Sequence, residues 1–219
     1  MLGSLVLIPF NYFFAHFAFN RVLNKFAQAQ VPQGQKLDFS SSFHMYPQPL
    51  IRIKDLDYKD NKGSDVSINT FDGILDVLEL IKTKQLILKR FTIDGLKLSL
   101  PVKRLDELVK SIMFPIIREG LGVPRDPALF FPSKFSINNI HLVRLFENKN
   151  AEKFDITKVV YATERSDFMS MCFPSVDKAE RFYKHFISQY LFAAKINGVC
   201  IRFTKSLKSL TLPTVPKQG

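Results

Sequence analysis

One pattern of apolar and polar positions recurs along the chain: apolar-x-apolar-x-x-apolar-x-apolar. It first appears as Ile51, Ile53, Leu56 and Tyr58 in "PLIRIKDLDY" and returns as Phe91, Ile93, Leu96 and Leu98 in "FTIDGLKL". It follows again as Phe135, Ile137, Ile140 and Leu142, as Phe154, Ile156, Val159 and Tyr161, and as Ala194, Ile196, Val199 and Ile201, at offsets of 40, 44, 19 and 40 residues. Alternation predicts strands, and the two-residue skip predicts a change of phase in the middle of each. Asp94-Gly95 and Asn197-Gly198 are also hairpin dipeptides, but a hairpin there leaves arms of three or four residues, short for strands. A bulge that bends a longer strand and swaps its faces is the preferred reading. It makes the sheet curved and antiparallel.

Between these units other elements follow. Leu37–Tyr46 and Val66–Phe71 alternate as strands, and Gln85–Lys89 leads into the second signature. Asp72–Lys82 changes to a helical period, with Asp72 as its N-cap. Val102–Gly120 reads as an amphipathic helix that Pro115 kinks or ends. Pro174-Ser175 opens a second such helix reaching Ala193. "GLGVPRDPALFFPS" reads as a loop whose Leu129-Phe130-Phe131 either covers a core or touches a partner.

The first twenty residues contain no Asp, Glu, Lys or Arg, and about 20 apolar residues span a bilayer as a helix. Pro9, Asn11 and His16 interrupt the run. A signal peptide, an interfacial amphipathic helix and a buried helix compete, but a single-pass anchor is the preferred reading, carried by Leu5, Leu7, Phe10, Phe14 and Phe17. The fold class expected is therefore α+β: an N-terminal transmembrane helix, then a curved, bulged antiparallel sheet with two or three amphipathic helices packed on it. The divisions are an anchor at 1–27, a linker at 28–35, a β-domain at 36–205 with sub-modules near 36–125 and 133–205, and a tail at 206–219.

The net charge of +11 over 219 residues changes the picture only in part. Residues 1–100 carry 12 Lys/Arg against 9 Asp/Glu, and the remainder 19 against 11. Basic residues alternate with strand apolars, so a solvated outer sheet face is the simplest account; anionic lipid comes next and nucleic acid last. Phe is abundant at 22 copies, but at core positions of the strand and helix periods. Nucleic acid is not an expected partner. Cys172 and Cys200 have no metal-ligand spacing; buried thiols or one disulfide both fit.

Catalytic chemistry is thin. His16, His44, His141 and His185 are scattered, and Asp55 and Asp57 share one strand face as solvated acids do. Neither catalytic nor metal-binding residues nor a cofactor are expected, and the chain does not read as an enzyme. A cleft joining His44 or His141 to a carboxylate would reopen that question. What remains is apolar surface. Ile51, Ile53, Leu56, Phe91, Ile93, Leu96, Leu98, Leu100, Ile137, Ile140 and Leu142 are candidates to line a groove for acyl chains, unless helices cover the sheet completely.

The order of an apolar N-terminus, "KLDFSSSFHMYPQPLIRIKDLDY", a turn, and "VSINTFDGILDVLELIKTKQLILKRFTIDGLKLSL" resembles the N-terminal domain of the AsmA-like family over about residues 1–101. Leu86, Leu88, Phe91, Ile93, Gly95, Leu96, Leu98 and Leu100 carry its last motif. The resemblance implies an inner-membrane envelope protein facing the periplasm, or a mitochondrial inner-membrane relative, with a β-groove that shields phospholipid tails or supports outer-membrane assembly. Its partners would be phospholipid and a homo-oligomer or other envelope proteins. Two features depart from that pattern. Family members are several times longer, and Arg21 and Lys25 follow the apolar run, which would place the domain on the cytoplasmic side. The alternative is a non-enzymatic scaffold subunit of a membrane complex. Eight or nine strands at about 4.8 Å make a sheet roughly 40 Å wide, a scoop and not a bridge between membranes.

Overall fold

A computed structural model describes residues 21, 36–44, 48–60, 63–76, 78, 82, 88–120, 132, 134–148, 150–188 and 194–204. The strands are β1 (Lys36–His44), β2 (Leu50–Lys59), β3 (Asp65–Leu75), β4 (Leu88–Pro101), β5 (Lys134–Leu145), β6 (Ala151–Ala162), β7 (Asp167–Cys172), β8 (Ala194–Asn197) and β9 (Cys200–Thr204). Helix α1 (Val102–Gly120) joins β4 to β5, and α2 (Val176–Phe182) runs on as a π-helical turn, Tyr183–Ile187. All nine strands form one sheet in the order β1-β2-β3-β4-β5-β6-β7-β9-β8.

This corrects the expected fold class. The sheet is mixed, because β4 and β5 pair in parallel. Two strands joined by a helix must run in the same direction if the helix spans the length of the first and returns the chain to its start. A single-pass transmembrane architecture is not supported either: no helix among the described residues is long and apolar enough to cross a membrane. The expected anchor residues Leu5, Leu7, Phe10, Phe14 and Phe17 lie outside the described residues, as do Leu129-Phe130-Phe131 and the tail. The apolar run that suggested an anchor is broken by Pro9, Asn11 and His16.

The signature units occupy equivalent places in the sheet. Ile51 opposes Gly73, Gly73 opposes Phe91, Phe91 lies beside Phe135, and Phe135 opposes Tyr161. The other three positions form parallel rows: Ile53, Ile93, Ile137 and Val159; Leu56, Leu96, Ile140 and Ile156; Tyr58, Leu98, Leu142 and Phe154. The pattern is the same read backwards, so antiparallel β6 falls into line with β5.

The skip is not a general bulge. Register runs unbroken through it in β2·β3 and β5·β6. In β2, β4 and β5 one residue takes a left-handed conformation at that level: Asp55 (φ 52°), Gly95 (φ 70°) and Asn139 (φ 54°). Asp, Asn and Gly tolerate this region best. Only β1·β2 slips there, since Asp38↔Asp57 and Ser40↔Lys54 leave two steps on β1 against three on β2. Faces are not swapped: Ile137 and Ile140, like Val159 and Ile156, join a single hydrophobic cluster. The skipped residues turn outward. Lys54, Asp55, Thr157 and Lys158 are exposed, and Asn139 donates to Asp94 Oδ1 at 2.8 Å.

The fifth unit is a hairpin after all. Asn197 pairs with Cys200, and Gly198 (φ 57°) supplies the positive φ of the two-residue turn. Asp72 is likewise no helix cap. It sits within β3 and takes a bidentate pair from Arg52 at 2.7 and 2.9 Å. The predicted helix beyond it falls mostly outside the described residues, although Leu78 and Lys82 are helical.

The densest core lies under β5, β6, β7 and β9. Tyr161, Ile201 and Phe203 are fully inaccessible, with Phe168 and Met169 nearly so. Burying each such side chain contributes about 1.5–3 kcal/mol. Leu105 of α1 is also fully buried, with Leu108 and Val109 packed beside it. Arg104 ties α1 to the β2–β3 turn through Asp60 Oδ2 (2.6 Å) and Ser64 Oγ (2.7 Å). β7 pairs only with residues 158–161 of β6, and α2 takes up the rest of that edge. Ser175 caps α2 by accepting from Lys178 N. Phe182 and Phe186 then pack edge-on against Phe154, with ring centroids 5.8 and 5.2 Å away. Covering a strand edge with a helix also removes a template for unwanted pairing.

Candidate functional site

Three arrangements could carry function: the apolar rows, the opposite face of the sheet, and a charged hub beside α1 and α2.

The apolar rows grade from sealed to open. Of the candidate groove residues, Ile51, Leu100, Ile140 and Leu142 are buried. Ile53, Leu56, Phe91, Ile93, Leu96, Leu98 and Ile137 are only half-buried. An aromatic ladder crosses the gradient: Phe71 stacks on Phe91 at 5.8 Å, Phe91 on Phe135 at 5.0 Å, and Phe135 on Tyr161 at 5.0 Å. Gly73 leaves room for it. A Cβ there would lie 2.9 Å from the Phe71 ring. All eleven candidates therefore belong to one connected region of β2, β4 and β5, while Phe71, a ladder member on β3, was missed because β3 carries no complete signature.

The opposite face is mixed: basic and hydroxyl side chains stand beside Leu50, Ile74 and Val160. Residues alternating with the first apolar rows run Arg52, Asp72, Thr92, Ser136, Val160 and Ser170 in register. Two shallow depressions of about 410 and 440 Å³ adjoin here and share Val160. The first includes Arg90, Lys134 and Lys158, and the second Arg165 and Arg202. Asp72 is taken by Arg52 and Asp167 by Arg202. Arg90, Lys134, Lys158 and Arg165 have no ion pair with any described residue.

The charged hub centres on Arg144, a buried cation. Its guanidinium reaches Asp106 Oδ2 of α1 at 2.9 Å and Glu152 Oε2 at 3.4 Å, and touches His185 Nε2. Arg181 of α2 adds a 2.6 Å bond to Glu152. Burial pushes the Glu152 carboxyl up, but Arg181, His185 and Arg144 outweigh it and hold the group below its usual value. Each member comes from a different element, so the hub pins both helices to the sheet.

His141 does meet a carboxylate. Its Nδ1 lies 2.9 Å from Asp155 Oδ1, and Lys178 Nζ holds the other oxygen at 2.6 Å. The hydrogen bond from Lys178, then that from His141, keep Asp155 below its ordinary carboxylate range. The pair is exposed, and neither depression above includes it. His44 contacts Ser42 Oγ at 3.3 Å on β1. Among the described residues no group of His, Cys, Asp and Glu is placed to hold a metal ion. Cys172 and Cys200 form a disulfide between β7 and β9.

No family model matches the chain, and no curated protein matches it.

Proposed function

We propose that this protein is a non-enzymatic, AsmA-like module that shelters phospholipid acyl chains against β2–β5, in support of lipid movement or envelope assembly. The observation that carries this reading is the half-buried apolar strip Phe91, Leu96, Leu98 and Ile137, packed against the sealed core, with half-buried Ile53 and Ile93 on either side of Phe71 in the register. Acyl chains gain about 0.8 kcal/mol per buried CH₂, so a strip crossing three signature strands offers enough surface to hold one. Lipid would be its partner, alone or with further envelope proteins.

The Cys172–Cys200 disulfide suits an oxidising compartment, which favours the periplasmic setting implied by the resemblance. A scaffold subunit is the competing reading. It is favoured by the hub at Arg144 and by the α2 cover over β6, which make that half a rigid, closed block.

Native mass spectrometry of the protein purified from cells tests the proposal. Retained phospholipid, lost in Leu98→Asp while the circular dichroism spectrum is unchanged, is the expected outcome. A clean apo mass for the unsubstituted protein would favour the scaffold.

A further inference from the structure

We infer that the face of the sheet opposite the apolar rows, behind β4–β7, is a docking surface for the phosphate headgroups of an anionic bilayer. The residues are Arg90, Thr92, Lys134, Ser136, Lys158 and Arg165. Arg90 and Lys134 are register neighbours on parallel strands, as are Thr92 and Ser136 one row further on. Each pair sits about 4.8 Å apart, so two cations stand beside two hydroxyl donors.

The argument for a partner is charge complementarity. Five cations line the two adjoining depressions (Arg90, Lys134, Lys158, Arg165 and Arg202) against two carboxylates, Asp72 and Asp167, and both carboxylates are already paired. Four cations are left without an ion pair among the described residues. Arg90, Lys134, Lys158 and Arg165 are all exposed.

The spread of the charges selects the partner. Arg90 aligns through Lys134 with Ala162, so Lys158 stands two strand spacings across and four residues along from it, roughly 16 Å away, and Arg165 lies in the turn beyond β6. A single small anion cannot touch them all, whereas an array of separate phosphates can. A nucleic-acid single strand is also an array, but it needs aromatic platforms for its bases. The aromatic residues at the two depressions are Phe91, Phe135 and Phe168, and their rings are already committed: Phe91 and Phe135 stack on each other in the ladder and Phe168 is buried in the core.

This inference does not need lipid to lie in the apolar strip. Peripheral docking is read on intact vesicles, whereas acyl shelter is read as retained lipid, so either can fail alone.

The test is sedimentation of the full chain with phosphatidylcholine vesicles, with and without phosphatidylglycerol, across a salt series. Attraction of about 1 kcal/mol per surface cation is fivefold each. Arg90→Gln/Lys134→Gln should therefore weaken binding to the anionic vesicles by on the order of twentyfold, and leave binding to neutral vesicles unchanged. Added salt should erase the difference. Lys103→Gln/Lys184→Gln removes the same charge from the helices and should cost only a small part of that. Equal binding to both vesicle types would overturn the inference. So would equal losses in the two double variants, or tighter binding to duplex DNA than to anionic vesicles at the same salt.

Discussion

The two halves of the sheet share one sequence pattern and differ in what covers it. In β6, β7 and β9, Tyr161, Ile201 and Phe203 are fully inaccessible, because α2, its π-helical turn and the β8–β9 hairpin close around them. In β2 and β4 the equivalent rows carry Ile53, Phe91 and Ile93 half-buried, beside Phe71 on β3. Identical strand chemistry thus becomes core in one place and accessible apolar surface in the other. The strand pattern places the residues, and the intervening segments decide their exposure.

The largest expected effect breaks the sealed half. Phe203→Ala should destabilise the protein by about 3–5 kcal/mol, whereas Ile53→Ala in the open half should cost closer to 1 kcal/mol, since less surface leaves water there. Denaturant unfolding checks both. Equal costs would show that the open half is packed as tightly as the other.

Next in size is the disulfide, which closes a span of 28 residues. Reduction, or Cys172→Ser with Cys200→Ser, should lower stability by about 2–4 kcal/mol, with the loss centred on β7 and β9. Thermal melts with and without reductant measure this.

Smaller again is Gly95→Ala. Gly95 has φ 70°, and a Cβ there would fall 2.1 Å from Asn69 Nδ2. A cost of about 1–2 kcal/mol follows from the left-handed backbone alone, with the Asn69 contact added. Gly63→Ala, at φ 79° with nothing within 4 Å, meets only the backbone penalty and separates the two contributions.

The smallest effect is electrostatic. Asp155 is held below its ordinary value by Lys178 and His141. A depressed carboxylate stabilises the fold above its unfolded pKa, near 4, and that stability disappears as pH falls through the lower folded value. Asp155→Asn should flatten the acid limb of the stability curve and leave the slope above pH 7 unchanged, as pH-resolved unfolding would show.

Much of this was legible in the sequence. The repeated signature located β2, β4, β5 and β6, and the helical periods located α1 and the start of α2, because apolar spacing reports which side of an element is buried. Strand direction is not written in that spacing, so the parallel β4·β5 pair went unseen, although a 19-residue helix between two strands was a usable signal. The skip was misread as a face swap because alternation alone cannot show that Asn139 takes a left-handed turn. Asp72 has the residue type of a cap, but its partner Arg52 lies across the ladder, 20 positions away in the chain. The Arg144 hub joins residues 38 and 41 positions apart, a contact that no local pattern encodes.

The central claim is that the open half, and not the sealed half, receives an acyl chain. Hydrogen exchange of the full chain with and without a short-chain phosphatidylglycerol tests it most directly. The account predicts added protection in β2, β4 and β5, with β7 and β9 unchanged. Protection confined to β7 and β9, or no change anywhere at saturating lipid, would contradict it.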